Sequence, residues 1–219
     1  MEHLVFTIGR EFGSGGKEIS LKLAEKLGLS CYDNELLTIA ASESGLSEEV
    51  LKKSDEKPAR TFFQNIAPGP YHMTSYSISG FSEMPLNHKI FLAQFEEIKK
   101  LADRESCVIV GRCADYALAD HSRRISIFVH ADMDFRLARV RADVDLDDAK
   151  LLDYIQKADR KRANYYNYYS GKKWADSRSY DLCLDSSVLG IDRCVEVICS
   201  YAGIRFPEWM QEGNGRLML

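Results

Sequence analysis

The sequence predicts an α/β protein, a three-layer sandwich whose five-stranded, mostly parallel sheet is covered by helices on both faces. Two observations carry this expectation. Five short apolar runs alternate with segments of helical period, and parallel strands need helical crossovers to bring the chain back to the same end of the sheet. The first run also passes through a glycine-rich turn straight into a helix, and ligands of such sheets sit beyond the carboxyl ends of the strands.

The elements follow in order. Leu4 to Ile8 is a buried strand halted by Gly9, and from about Lys17 to Leu27 the residues Ile19, Leu21, Leu23, Ala24 and Leu27 largely recur at helical spacing before Gly28 stops the helix. Ser30 to Asp33 is a second brief strand, followed by a helical stretch ending near Gly45 and a helix cap at Ser47. Between Pro58 and His88 the pattern dissolves into Pro, Gly, Ser, Tyr and Met, the composition of a surface insertion. Helical period resumes at Ile90 and runs through Leu101, and Cys107 to Val110 is a compact strand ending in Gly111 and Arg112. Ile125 to Val129 is the fourth strand. Asp132 caps a helix carrying Arg136, Arg139 and Arg141, and a long helix follows from about Asp147 to Tyr169. Tyr180 to Leu184 and Ile191 to Tyr201 supply the last strand and helix.

Composition narrows the class. The chain has 219 residues, 45% hydrophobic and 28% charged, which fits one globular domain spanning 1–219 and gives no support to disorder. The opening residues lack a signal peptide's basic and apolar regions, and no run is long enough to span a bilayer, so a cytoplasmic protein without membrane contact is expected. Six cysteines form no CxxC pair and lie mostly in apolar runs, which favours buried, reduced thiols over zinc or disulfides. The histidines show no metal-ligand spacing. A net charge of −4 leaves no overall basic field for nucleic acid, whereas a small anionic ligand remains compatible.

The chemistry begins at Gly13-Ser14-Gly15-Gly16. Three glycines in four residues between a strand and a helix let backbone amides turn inward around a phosphate, and the helix N-terminus adds favourable partial charge. A tight structural turn is the competing reading. The stretch Thr7 to Ile19, with Leu23 to Gly28 and Tyr32-Asp33, resembles the opening of the cytidylate kinase-like family, relatives of the P-loop nucleoside monophosphate kinases. Val108 to Arg112 resembles that family's third-strand motif, and Tyr180 to Leu182, Leu184 to Ser187 and Leu189 to Asp192 resemble its carboxyl-terminal signature.

The resemblance implies a P-loop-type sandwich with a helical lid at about 157–178, an acceptor-binding segment at 56–88, and transfer of a phosphoryl group from ATP with Mg2+ to a nucleoside monophosphate, cytidylate first. It places Arg10, Gly13, Ser14, Gly15, Gly16 and Lys17 at the donor nucleotide, Arg112 and Asp33 at the acceptor, and Asp33 and Glu18 at the metal. Asp159 and Arg162, three residues apart on one helical face, resemble a pair in the family's lid, and Arg139 precedes that lid.

The loop departs from the ordinary GxxxxGK(S/T) pattern, in which a lysine reaches the β/γ phosphates and a hydroxyl holds magnesium. Aligned through the helix Leu23 to Leu27 with its counterpart in the family it resembles, the loop puts Gly16 at the lysine, Glu18 at the hydroxyl and Arg10 at the first glycine, with Lys17 displaced by one residue. Either Lys17 or Arg10 is a candidate for the missing charge, and Glu18 is tolerable only as a metal ligand or in an ion pair. A catalytically weak nucleotide-binding or regulatory module is therefore the rival to a kinase. The tyrosines from Tyr165 to Tyr169 suit packing, an oligomer contact or, least, stacking on single-stranded nucleic acid, and a homo-oligomer stays open.

Overall fold

A computed structural model of the protein describes residues 3–33, 86–144 and 146–211. Five strands, β1 (Val5–Arg10), β2 (Ser30–Tyr32), β3 (Cys107–Val110), β4 (Arg124–His130) and β5 (Leu182–Asp185), form one sheet in the order β2-β3-β1-β4-β5. Every pairing is parallel, so all five carboxyl ends meet at one edge. The register decides what happens there. Pairing of β1 with β3 ends at Ile8 opposite Val110, whereas pairing with β4 continues to Arg10 opposite Val129. Arg10 therefore stands beyond the end of β3, beside the turn at Gly111.

Helices cover both faces, as the expected P-loop-type sandwich requires. On one face Leu4, Phe6 and Ile8 pack with Ile19 and Leu23 of α1 (Gly16–Leu27) and Ile198 of the kinked helix Ser186–Arg205. On the other, Val5, Cys107 and Ile109 pack with Phe91, Phe95 and Ile98 of α2 (Leu86–Arg104). The alternation of Leu4, Phe6 and Ile8 against Val5 is the period of two expected of a strand buried on both sides. After a four-residue helix α3 (Ala114–Ala117), α4 (Met133–Arg141) and α5 (Asp148–Ser170) meet in a third, smaller core of Val140, Leu151 and Ile155, against which Phe12 packs.

Several boundaries move for local reasons. Helix α2 starts at Leu86, before the expected Ile90, because the polar pair His88-Lys89 hides its first turn from an apolar reading. The helix expected at Ile191 follows the kink at Gly190, and a short helical segment from Ser186 precedes it; together they are α6 (Ser186–Arg205). Asp185 caps it by accepting from the Ser187 N–H at 3.0 Å, and Gly190, at φ 74°, breaks the period between its two parts. Strand β5 begins at Leu182 because Asp181 turns its carboxylate onto the Ser126 N–H at 2.7 Å and Tyr180 packs on Phe128. Cys183 is exposed, unlike Cys107, Cys113, Cys194 and Cys199, because alternation on an edge strand turns it away from buried Leu184.

The expected helix after β2, the cap at Ser47 and most of the insertion at 56–88 lie outside the described residues. Residues 86–88 belong to the first turn of α2. Residues 157–178, expected as a lid, are seated on the body. Tyr166 is buried and donates to Asp115 at 2.7 Å, and Trp174 meets Phe128 edge to face at 5.2 Å. Among the described residues no helix is long and apolar enough to cross a membrane.

An unexpected short helix, α7 (Pro207–Gln211), closes the described chain and inserts Trp209, 2% exposed, edge-on to Phe6 at 6.4 Å. Truncation of a buried aromatic forfeits both transfer energy and packing. Trp209→Ala is expected to lower the unfolding free energy by about 3–5 kcal/mol in urea denaturation. A loss below about 1 kcal/mol would show that α7 merely lies on the core.

Candidate functional site

The site grows from the turn between β1 and α1. Gly13 and Gly15 have φ of 82° and 78°, the left-handed region that side chains resist. Gly15 is the N-cap of α1 and brings no side chain to cap it. Ser14, fully buried, ties the turn internally by donating its Oγ hydrogen to Glu11 O at 2.9 Å, and its own carbonyl accepts from the Ser186 hydroxyl at 2.6 Å. The α1 N-terminus is thus held in a fixed place without a side-chain acceptor of its own, the arrangement that favours an oxyanion.

A second set of contacts grips the turn from outside. Asp159, on α5, accepts from the Phe12 N–H at 2.8 Å and pairs with Arg136 of α4. Arg136, 4% exposed, also donates to Phe12 O at 2.7 Å and meets Glu11 at 3.1 Å. One arginine and two carboxylates therefore fix Glu11-Phe12 at the entry of the loop. Arg136 and Glu11 were not among the expected site residues. The pair Arg136–Asp159 joins different helices, so spacing could not reveal it. The available signal was an arginine on the apolar stripe Met133, Leu137, Val140 of α4.

Arg162, expected to form a lid pair with Asp159, donates to Arg10 O at 2.9 Å and lies over the Phe12 ring at 5.3 Å, with Asp159 near enough to favour its charge. Its guanidinium is pushed below the usual arginine range by burial. The Arg10 guanidinium is pushed further, to about 9, by burial first and then by the nearby charges of Arg162 and Arg112, partly offset by Asp33. Arg112 follows Gly111 at the end of β3 and lies over the Tyr165 ring at 5.4 Å. Gly111, Arg112 and Cys113 have φ of 77°, 55° and 56°, three left-handed residues in succession. Such a conformation costs about 1–2 kcal/mol for each residue with a side chain, and strain of this kind gathers at ligand sites. Three arginines from three elements thus converge where β1 and β3 end.

The remaining candidates divide. Lys17 reaches Asp33 at 3.0 Å and its side chain is 63% exposed. Glu18 binds Arg139 at 2.7 Å and lies 3.8 Å from Lys22, so the residue at the hydroxyl position is in ion pairs with two cations. A magnesium ion at Glu18 would have to share the carboxylate with two cations, whereas at Asp33 it would share with Lys17. Asp33 fits better, because magnesium is usually held by one or two carboxylates together with substrate phosphates and keeps several waters. Among the described residues no three His, Cys, Asp or Glu gather as a ready-made metal cage. Tyr165, Tyr166 and Tyr169 are used in packing, with Tyr169 stacked on Phe91 at 3.8 Å and Tyr166 near Tyr180.

The family described as cytidylate kinase-like matches residues 5–188 of this chain. Among solved structures, an uncharacterized protein from Eubacterium ventriosum is 31% identical, with a TM-score of 0.68 over 91% of this chain and 98% of that one. A shikimate kinase from Bacteroides thetaiotaomicron is similar at 14% identity and a TM-score of 0.47, over 90% and 97% of the two chains. A sugar kinase from a Janibacter species is similar at 11% and 0.49, over 92% and 95%. No curated protein matches the chain.

Two outcomes follow from the geometry. Asp159→Ala leaves Arg136 buried with Glu11 alone and strips the Phe12 N–H of its acceptor, and breaking such a pair is expected to cost about 3 kcal/mol in chemical denaturation. A change under about 1 kcal/mol would mean that the grip on the loop lies elsewhere. Because Arg10 and Arg162 are strained by burial and by neighbouring arginines, an anion should relieve them. Tripolyphosphate is expected to raise the melting temperature by roughly 5 °C over chloride of equal ionic strength, at concentrations well above its dissociation constant.

Proposed function

The chain belongs to the cytidylate kinase-like family, and from that premise we propose that it transfers the terminal phosphoryl group of ATP, taken with Mg2+, to a nucleoside monophosphate, with cytidylate the leading acceptor. The observation that carries this reading is the convergence of Arg10, Arg112 and Arg162 beside the uncapped start of α1. Phosphoryl transfer asks a protein mainly to position two phosphates in line and to stabilise charge on the transferring oxygens.

In this reading the loop amides and the α1 N-terminus cradle the β- and γ-phosphates of the donor. Arg112, aimed from the end of β3, holds the acceptor phosphate. An oxygen of that phosphate attacks the γ-phosphorus while the bond to the β–γ bridging oxygen breaks, giving two nucleoside diphosphates. Arg162 steadies the end of β1 through the Arg10 carbonyl and adds positive charge on the side of α5. Magnesium, when bound, neutralises the β/γ oxygens, and Asp33 is the carboxylate suited to hold it directly or through water. The acceptor's base would meet the segment 56–88, of which 56–85 lie outside the described residues, so cytidylate rests on the family alone.

The ion-paired Glu18 favours a second reading, a module that binds nucleotide with little turnover. A coupled assay of purified protein with ATP, Mg2+ and a panel of nucleoside monophosphates separates the two. Production of ADP that depends on one acceptor, with cytidylate fastest, is the expected result. Saturable ATP binding in calorimetry with no acceptor-dependent turnover would replace the kinase with the binding module.

A further inference from the structure

The loop lacks the lysine that ordinarily follows its last glycine, and the structure offers two cations in exchange. Lys17 is the nearer along the chain, but its side chain is mostly exposed and meets Asp33 at 3.0 Å. Arg10 is the nearer in space. A Cβ built on Gly16, at the lysine position, would lie 2.5 Å from Arg10 Cβ and 3.0 Å from Arg10 Cγ. Further along the same side chain, a Cβ built on Gly111 would lie 2.2 Å from an Arg10 guanidinium nitrogen. The Arg10 stem therefore crosses the space that a lysine at 16 would enter, and its head ends against the carboxyl end of β3. Real Cβ atoms essentially never approach a neighbour this closely; at Gly16 the neighbour is the fixed root of the Arg10 side chain, so Gly16 lets Arg10 through, whereas at Gly111 it is the flexible guanidinium end, which Gly111 accommodates without a shift.

We propose that Arg10 replaces the missing loop lysine, so that the cation for the donor's terminal phosphates comes from the end of β1 through a gap left by Gly16 and Gly111. This rests on the reading of the loop as a nucleotide site. It adds a reason for the exchange of residues. The closest approach is between the two Cβ positions, so any side chain at 10, this cation included, excludes one at 16. The head also sits between the glycine loop and Arg112, that is, between the donor and acceptor ends of the proposed site. A guanidinium, with five donors in a planar fork, can engage oxygens of two phosphates at once, which a lysine ammonium does as a point charge only.

The test is an exchange of positions read by ATP affinity and turnover. Arg10→Met keeps most of the stem and removes the charge, and it should weaken ATP binding by about tenfold to a hundredfold, the scale of a lost charge-assisted hydrogen bond. Gly16→Lys alone should bind worst, because its stem meets Arg10. The double variant R10G/G16K restores the ordinary lysine pattern, and it should recover affinity and turnover to within about tenfold of the original protein. Circular dichroism and melting of each variant establish that it is folded. A folded Arg10→Met with unchanged affinity, a folded double variant no better than Arg10→Gly, or a larger loss from Lys17→Ala than from Arg10→Met would each overturn the assignment. If the unaltered protein binds no nucleoside triphosphate, the nucleotide-site reading itself falls. If it binds and Arg10→Met binds equally, only the role of Arg10 is lost.

Discussion

Space around the glycine loop constrains everything built upon it. A Cβ at Gly13 would meet Val140 Cγ2 at 2.9 Å, one at Gly15 would meet Ile191 Cδ1 at 2.3 Å, and one at Gly16 would meet the Arg10 stem at 2.5 Å. Helix α4, helix α6 and strand β1 each supply one wall. The glycines are thus fixed by protein packing before any ligand arrives, in addition to the left-handed backbone at Gly13 and Gly15. The loop cannot be a local feature of one turn. Its shape is the joint product of four elements, since α5 also holds it through the bond from the Phe12 N–H to Asp159.

Charge then sorts the arginines that surround this loop. Arg136 is buried against two carboxylates, Glu11 and Asp159, and Arg139 is bound by Glu18. Their positive charge is answered within the protein, and they serve as struts. Arg10 and Arg162 are different, because burial and neighbouring arginines push each below the ordinary range, and Asp33 and Asp159 offset this only in part. Two unit charges about 4 Å apart interact by about 4 kcal/mol at an effective dielectric constant near 20, so like-charge neighbours are a real cost to the free protein. Near neutral pH an arginine keeps its proton even with its pKa lowered to about 9, and the strain is relieved by an anion rather than by deprotonation. In the proposed reading, that asymmetry distinguishes an arginine that shapes the site from one that faces a ligand.

The sheet was legible because its signals are local. Apolar runs, alternation within β1 and caps such as Asp132, which accepts from the Phe135 N–H at 2.7 Å, are written in adjacent residues. The loop was legible for the same reason. The partners of its charged residues were not. Asp159 and Arg162 share a helical face, which suggested one joint role in a lid, yet one grips the Phe12 amide and the other the Arg10 carbonyl. Arg136 and Glu11, whose contacts span 124 and 120 residues of chain, carry no spacing signal at all. The short helical segment from Ser186, capped by Asp185, went unread because the kink at Gly190 cuts it off from the helix read from Ile191.

The missing lysine shows how far such a motif can be trusted. GxxxxGK(S/T) describes neighbours along a chain, whereas phosphate chemistry needs neighbours in space. A cation six residues upstream can occupy the same volume if the lysine position loses its side chain and the end of the adjacent strand makes room. Both conditions hold here, at Gly16 and Gly111. They also make the two arrangements mutually exclusive, because a methyl group at 16 already collides with the arginine stem. Absence of the lysine in this loop therefore says little about loss of charge. It has to be weighed with the residue at 10, and a glycine at 16 paired with an arginine at 10 is a different solution to the same electrostatic demand.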